Sequence, residues 1–382
     1  MIAIAFDNLV EAVHALHVVP GKKAVNDGRI AVTGVSHDSR EVSRGDLFVA
    51  IRGANHDGHA FISKAAAAGA AACLVDRKGV GEFSDSAVPL IVVEDTVAAL
   101  GRLASHYRRH ILPSGATVVA VTGSNGKTTT KGMIDHVLRR SIKGMASPKS
   151  YNNNIGVPLT ILSAGRDDSY VIAEIGTNAP GEIAELSAIA LPNVGVITSV
   201  GEAHLEGLGT IADVAREKAA LLDFVQPAGL AVVNIDQPEI RPYATGLRKA
   251  RLITVGTHPR ARLSVVGTKT TLSGSSFELE GRFRVRLPMP GVHHATNAAA
   301  AFAVGRWFGV DCDEIIEALR TFAPEAGRTR RVEIRGMTLI DDAYNANPSR
   351  VLAVIDALSA ADFFRRIFVL GDMVELGPTA DA

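Results

Sequence analysis

The segment VVAVTGSNGKTTT, residues 118–130, constrains the fold more than any other part of the chain. An apolar strand runs straight into a glycine-rich turn and then into a Lys-Thr-Thr helix start. Backbone N–H groups at such a turn and helix N-terminus hold phosphate oxygens. Lys127 would add a point charge at the β/γ-phosphates, and the Thr128 hydroxyl would reach Mg²⁺. The full G-x-x-x-x-G-K-[ST] pattern fails at Val121, and what stands is the shorter run from Gly123 to Thr128. Its seat between strand and helix makes nucleotide binding the expectation for Gly123, Asn125, Gly126, Lys127, Thr128 and Thr129.

From Thr117 onward the strands TVVAV, YVIAE, VGVIT and LAVVN alternate with helices starting near Thr128, Gly181 and Asp213. This is the signature of βαβ units in a mostly parallel sheet. Between Ser264 and Leu287 polar and apolar residues alternate with glycine, which reads as antiparallel strands added to that sheet. Helices over Thr296–Trp307 and Asp313–Thr321 close the section. Upstream, short strands are expected at Ile30–Val35, Leu47–Ile51, Ala72–Val75 and Leu90–Val93. A helix is expected over Thr96–Ile111, where Leu100, Leu103, Tyr107 and Ile111 recur at helical spacing. Pro113-Ser114-Gly115 reads as a linker.

Beyond Pro324 and Gly327, the runs RVEIRG and TLIDD, a helix over Ser349–Leu358 and then RIFVLGD read as a new β-α-β unit. One crossover and two or three strands cannot bury both faces of a sheet, so this last section reads as incomplete. The chain thus divides into sections 1–112, 113–325 and 326–382, an α/β protein of three domains.

Several function classes are excluded early. The 40 Lys and Arg residues balance 40 Asp and Glu, so no net basic field invites nucleic acid. The longest apolar run, Ala65–Val75, falls well short of the ~18 residues of a membrane span. Asp7 and Glu11 stand where a signal peptide would carry Lys or Arg. Cys73 and Cys312 form no CxxC pair, so a reducing cytoplasm with two buried thiols is expected.

Other residues carry chemistry by placement. Glu174 ends the strand YVIAE, and His204 follows the strand VGVITSV. Both strand ends would open onto the ligand crevice of a parallel sheet, where a carboxylate and an imidazole can hold a metal ion. Lys218 reads as a solvated lysine on an amphipathic helix. Tyr151 and Asn152, Asn153 and Asn154 offer amides for a sugar or peptide, or equally a turn. Asn297 sits on an Ala-rich helix that could approach a base or simply be core. Asp341 and Asp342, directly after a strand, point to a ligand or cation partner. Tyr344, Asn345 and Asn347 follow them, with helix capping as the plain alternative for the asparagines.

Read in order, SHDSREVSRGDLFVAIRGANHDGHAFI, AVTGSNGKTTT, YNNNIGVPLT, AEIGTNAPGEI, ITSVGEAHLEGLGT, REKAALL, GVHHATNAAAA and DDAYNANP together resemble the Mur ligases. The resemblance covers essentially the whole chain. It implies an N-terminal α/β domain that binds the UDP end of a precursor through Ser36, Asp38, Ser39, Arg40 and the stretch Gly53 to Phe61. It implies a central P-loop ATPase and a Rossmann-like third domain. Lys127 and Thr128 match the family's phosphate loop, Glu174 and His204 its Mg²⁺ and phosphate residues. Lys218 matches a lysine that is carbamylated in the family, which would make it a ligand of a second Mg²⁺ ion. Asn297 matches an adenine contact; Arg328 and Asp342 match nucleotide contacts made from the third domain, and Asn152 and Asn153 lie near the muramoyl substrate.

The resemblance implies ATP-dependent joining of D-alanyl-D-alanine to UDP-N-acetylmuramoyl-tripeptide by a cytoplasmic monomer. The strings YNNNIGVP and DDAYNANP favour that member over a sister that adds one amino acid. A binding protein that completes no ligation and a generic P-loop ATPase are the rivals. His294 stands where the family commonly has Asn, and Ser199 replaces a frequent Asn.

Overall fold

Two sheets of unequal size carry most of the chain in the computed structural model, which describes residues 1–22, 30–80, 85–203, 205–245, 247, 249–346, 348–359 and 365–373. In the N-terminal section, β1 (Ile4–Ala5) pairs with β3 (Ala31–Val32). The strands β2 (His17–Val19), β4 (Gly34–Ser36), β5 (Asp46–Val49), β6 (Ala72–Asp76) and β7 (Leu90–Val93) form a sheet of order β2-β7-β6-β5-β4, with only β2 antiparallel to its neighbour. The run expected as one strand over Ile30–Val35 is therefore two short ones, β3 and β4, in different sheets. The helix Thr96–His106 is N-capped by Asp95, and a π-helical turn over Tyr107–Ile111 completes the expected span. Tyr107 ties this section to the next: its hydroxyl accepts from the Ile2 N–H (2.7 Å) and donates to the Ala164 carbonyl (2.6 Å).

The central sheet has nine strands: β8 (Thr117–Thr122), β9 (Gly144–Ala146), β10 (Tyr170–Glu174), β11 (Val194–Ile197), β12 (Leu230–Asn234), β13 (Arg251–Gly256), β14 (Leu263–Thr271), β15 (Gly274–Leu279) and β16 (Phe283–Leu287). Their order is β16-β15-β14-β13-β12-β11-β8-β10-β9. All pairs are parallel up to β14, and β14, β15 and β16 are antiparallel, as the alternating pattern implied. Alternate residues of β8 feed opposite faces: Val118 and Ala120 join the core shared with the N-terminal section, while Val119 and Val121 join the core on the other side. Burial on both faces is why this strand reads as an unbroken apolar run. The helix Val292–Trp307 is buried almost all round, Ala298 to Ala301 included, and packs against the helix Lys127–Leu138.

From β8 the chain passes to β9 and β10 on one side and then returns to β11 on the other. The reversal places a crevice at the C-terminal end of β8, where ligands bind in open parallel sheets.

The third section departs from expectation. RVEIRG and TLIDD form an antiparallel hairpin, β17 (Arg330–Ile334) and β18 (Met337–Asp341), not the first strands of a parallel unit. The two-residue turn has φ of 50° at Arg335 and 78° at Gly336, the positive angles that a tight hairpin turn demands. After the helix Pro348–Ser359, residues 365–373 form no strand, and Ile367 and Val369 lie 67% and 93% exposed. A strand needs a hydrogen-bonded partner strand, and among the described residues no strand pairs with this segment. Cys73 is buried, with its thiol pushed up to about 12 by that burial; Cys312, the first residue of the helix Cys312–Arg320, is only half-buried, against expectation.

Candidate active site

The crevice is a cleft of about 510 Å³, and most of the expected site residues meet in its wall. Asn125, Gly126, Lys127, Thr128 and Thr129 come from the turn after β8; Asn152 and Glu174 come from the β9 and β10 side; Asn297, Arg328, Tyr344 and Asn345 close it from the helix Val292–Trp307 and the third section. His204 and Asn347 lie outside the described residues.

The phosphate loop is stapled to the two residues that follow β11. The Ser124 N–H donates to the Ser199 carbonyl (2.9 Å), and the Asn125 N–H to Ser199 Oγ (2.8 Å). The Asn125 carbonyl accepts from Thr198 Oγ1 (2.5 Å) and Ser199 Oγ (3.0 Å). Asn234, ending β12, donates to the Thr198 carbonyl at 2.9 Å and extends the staple by one strand. Gly126 has φ of 82°, and a Cβ there would meet Asn297 Oδ1 at 2.6 Å, so only glycine lets the loop approach the buried helix. Lys127 folds back to donate to the Gly123 carbonyl (2.7 Å), and burial holds its pKa below the usual lysine value against the pull of Glu174.

Glu174 is 1% exposed, and both of its oxygens have partners. Oε2 accepts from Thr128 Oγ1 (2.9 Å) and lies 3.6 Å from Lys131 Nζ; Oε1 accepts from Asn152 Nδ2 (3.0 Å). The Thr128 hydroxyl also accepts from Arg328 (3.0 Å), whose guanidinium sits 3.7 Å from the Tyr344 ring centroid. The Tyr344 hydroxyl donates to Ser150 Oγ (2.6 Å), a second tie between the third section and the cleft. Asn297 Nδ2 is buried without a protein partner, a donor left for a ligand atom in the cleft.

Other candidates sit elsewhere. Asn153 accepts from the Ile155 and Gly156 N–H groups (3.2 and 2.9 Å) at the start of the helix Gly156–Ser163, so its side chain serves the turn. Asp341 and Asp342 both serve the turn around Arg328. Asp341 accepts from the Gly327 N–H (2.8 Å), and Asp342 from the Thr329 N–H and hydroxyl (2.7 and 3.0 Å). The two carboxylates thereby pin both residues flanking Arg328, which is how the strand-end charges are offset. His294 meets the same turn, with Nε2 3.3 Å from Thr329 Oγ1.

Lys218 is not a solvated lysine: its side chain is 1% exposed. Burial, and then the charge of Lys127, lower its pKa to about 7. Beside it, Glu217 accepts the Gly181 and Ile183 N–H groups (2.8 Å each) and anchors the helix Glu182–Ala190.

The remaining expected residues form a separate surface on the N-terminal section. Ser36 exchanges hydrogen bonds with the Asp38 backbone, and Ser39 is buried next to it. Arg40 grips Asp38 through its side chain and backbone N–H, which holds that carboxyl well below the carboxylate range. Within Gly53 to Phe61, Asp57 accepts from His59 Nδ1 (2.6 Å), while Arg52 contacts Asp57 and Asp76.

Sequence reasoning missed Lys131, Ser150, Thr198 and Asn234. Asn234 was findable by the rule that located Glu174, a polar residue at a strand's C-terminal end. Lys131 carried no such mark, since nothing in KTTTKGM separates a buried lysine from an exposed one.

Of Thr128, Glu174, His204 and Lys218, the residues expected to hold divalent cations, the first two form a donor set that fits one. Mg²⁺ takes oxygen ligands, commonly one or two carboxylates with substrate phosphates, and a buried carboxylate stands in hydrogen-bond contact with the loop hydroxyl.

Comparison with known proteins covers all three sections. Family models described as Mur ligase family, catalytic domain, Mur ligase middle domain and Mur ligase, glutamate ligase domain match residues 31–108, 121–305 and 327–382. The UDP-N-acetylmuramoyl-tripeptide--D-alanyl-D-alanine ligase of Bacillus subtilis (strain 168) is 34% identical over 354 residues, covering 91% of this chain and 74% of its own. A crystal structure of MurF from Acinetobacter baumannii superposes with a TM-score of 0.88 at 27% identity, over 99% of this chain and 81% of that one. MurF ligase from Thermotoga maritima, solved in complex with ADP, gives 0.78 at 30% identity over 92% and 80%.

Proposed function

The chain belongs to the Mur ligase family, and we propose that it is an ATP-dependent amide ligase joining D-alanyl-D-alanine to UDP-N-acetylmuramoyl-tripeptide in the cytoplasm. Sections 1–112, 113–325 and 326–382 serve as precursor-binding, ATP-binding and ligase domains. The observation that carries the reading is the meeting of Lys127, Thr128, Glu174 and Arg328, from three separate parts of the chain, in one cleft.

The chemistry follows from what these groups offer. The precursor's terminal carboxylate attacks the γ-phosphorus of ATP, ADP leaves, and an acyl phosphate forms. The dipeptide amine then attacks the acyl carbon, phosphate departs and the amine proton is lost. Phosphoryl transfer asks a protein for positioning and charge neutralisation more than for covalent help. Loop N–H groups and Lys127 receive the phosphates, Arg328 brings a cation from the third section, and Asn152 and Tyr344 offer polar groups in the same cleft for the precursor. Mg²⁺ held by Thr128 and Glu174 would neutralise phosphate charge there.

Lys218 supports a further refinement. The charge of Lys127 disfavours a charged ammonium on buried Lys218, and carbamylation of Lys218 would turn that repulsion into attraction. A pKa near 7 supplies the neutral amine that reacts with CO₂, and the carbamate is an oxygen donor of the kind a second Mg²⁺ ion takes.

The decisive assay is phosphate release with ATP, precursor and dipeptide. Release requires all three under this reading. Release with a single amino acid but none with the dipeptide moves the chain to the sister ligase, and release indifferent to any muramoyl compound removes the reading.

A further inference from the structure

Lys131 lies one helical turn beyond Lys127, yet its side chain is 2% exposed and forms no part of the cleft wall. Burying an ammonium group costs several kcal/mol unless charge and hydrogen bonds offset it. Its three N–H groups have three partners in the fold: the Ser147 carbonyl at 2.9 Å, the Lys149 carbonyl in a short contact, and Glu174 Oε2 at 3.6 Å. The two carbonyls belong to the stretch leaving β9, whose next residues, Ser150 and Asn152, face the cleft. Asn152 donates to the other oxygen of Glu174, and the Glu174 N–H reaches Ser147 Oγ at 3.4 Å. Lys131, the 147–152 stretch and Glu174 therefore form a closed ring of contacts behind the cleft.

A methionine would fill nearly the same volume without the desolvation cost, so what the ammonium contributes here is direction. Only a compact cation with radiating donors satisfies two carbonyls and a carboxylate together; the planar guanidinium of arginine does not match that arrangement.

We propose that Lys131 is a positioning residue that fixes the Glu174 carboxylate and the 147–152 stretch as one unit, so that the carboxylate that would hold the cation and the amide of Asn152 are set together. The Asn152 half of this proposal rests on the ligase reading.

The test uses the full chain with Lys131→Met and Lys131→Gln, the latter keeping a donor for a carbonyl without the charge. Mn²⁺ is titrated by electron paramagnetic resonance into the protein with ADP, and KM for the UDP-muramoyl tripeptide is measured alongside thermal unfolding. Both variants are expected to fold, to bind ADP without metal as the parent does, and to lose at least about tenfold in Mn²⁺ affinity, the usual cost of removing an outer partner of a metal ligand. The precursor KM rises with it, a selective pattern that a general loss of structure does not produce. A folded variant whose Mn²⁺ affinity and precursor KM both match the parent overturns the proposal, and so does failure of both variants to fold, which assigns the lysine to stability alone. The Mn²⁺ measurement needs only nucleotide and metal. A failed ligase reading shows separately, as parent protein that releases no phosphate with both substrates.

Discussion

Thr128 donates a 2.9 Å hydrogen bond to Glu174, which stands 46 residues later at the end of the neighbouring strand. The contact exists because β8 and β10 are adjacent and parallel with Val121 opposite Glu174, so a loop leaving one strand meets the last side chain of the other. Sheet register thus sets the separation of the loop hydroxyl and the carboxylate, and the two can share one cation without either element moving.

Replacing Lys127 tests the phosphate loop. Lys127→Ala removes the ammonium poised at the loop, and kcat for phosphate release is expected to fall about 10³-fold, the upper range for one preorganised charge. Lys127→Arg should recover little, since a planar fork is a poor substitute for the compact group that reaches the Gly123 carbonyl. Near-parent rates in either variant contradict the role.

Glu174→Gln keeps the shape and removes the charge. Lys131, nearly inaccessible, then loses its carboxylate partner, and urea unfolding should show a loss of roughly 3 kcal/mol, as for other broken buried pairs. Adding Lys131→Met should restore part of it, because no uncompensated buried charge remains. Turnover stays low in both, which separates stability from chemistry.

The features legible in the sequence were those that local physics dictates. A strand buried on both faces followed by Gly123, Gly126 and Lys127 can do little else, and Glu174 was placed by a strand-end rule. What could not be read depended on partners distant in the chain. Asn153 holds the turn before a helix while its neighbour Asn152 reaches Glu174, and KTTTKGM conceals that its second lysine is buried. The hairpin at Arg335-Gly336 carries a local signal, a two-residue turn ending in glycine between two apolar runs, whereas composition alone does not separate a hairpin from the strands of a crossover unit. RIFVLGD has strand composition, and composition supplies no neighbouring strand.

Arg328 joins the third section to the loop through Thr128 and stacks on Tyr344. Arg328→Ala should raise KM for ATP about tenfold, the worth of one hydrogen bond to a charged group. Arg328→Lys should do nearly as badly, because an ammonium neither stacks as a plane nor spans the same gap. Tyr344→Phe keeps the ring and loses only the hydroxyl's bond to Ser150, so a change of less than about threefold is expected.

Acid should act on the N-terminal section through Asp76. Hydrogen bonds from Arg52, opposed by burial, hold this carboxyl at about 2, below its ordinary 3.8. A depressed carboxylate contributes stability that is present above the ordinary value and lost as pH falls through the folded one. The parent should therefore lose this contribution between about pH 4 and pH 2. Arg52→Ala should be less stable than the parent at pH 7, with the gap closing in urea unfolding at the acid end. A gap independent of pH would assign Arg52 to packing alone.

Lys218 gives the prediction with the clearest sign. Its pKa is near 7 in the fold against an ordinary 10.5, so between those values the unfolded chain holds a proton that the folded chain has released. Stability of the unmodified protein must then rise with pH across that interval, and Lys218→Met should abolish the slope without lowering stability at pH 7. Carbamylation consumes the neutral amine, whose fraction grows about tenfold from pH 6 to pH 8 for a group titrating near 7. Protein stripped of CO₂ should therefore regain activity about tenfold faster at pH 8 than at pH 6 under equal dissolved CO₂. Lys218→Met should show no CO₂ response at either pH. Full activity in CO₂-free buffer would mean that the buried amine works as an amine, and the second metal would lose its expected ligand.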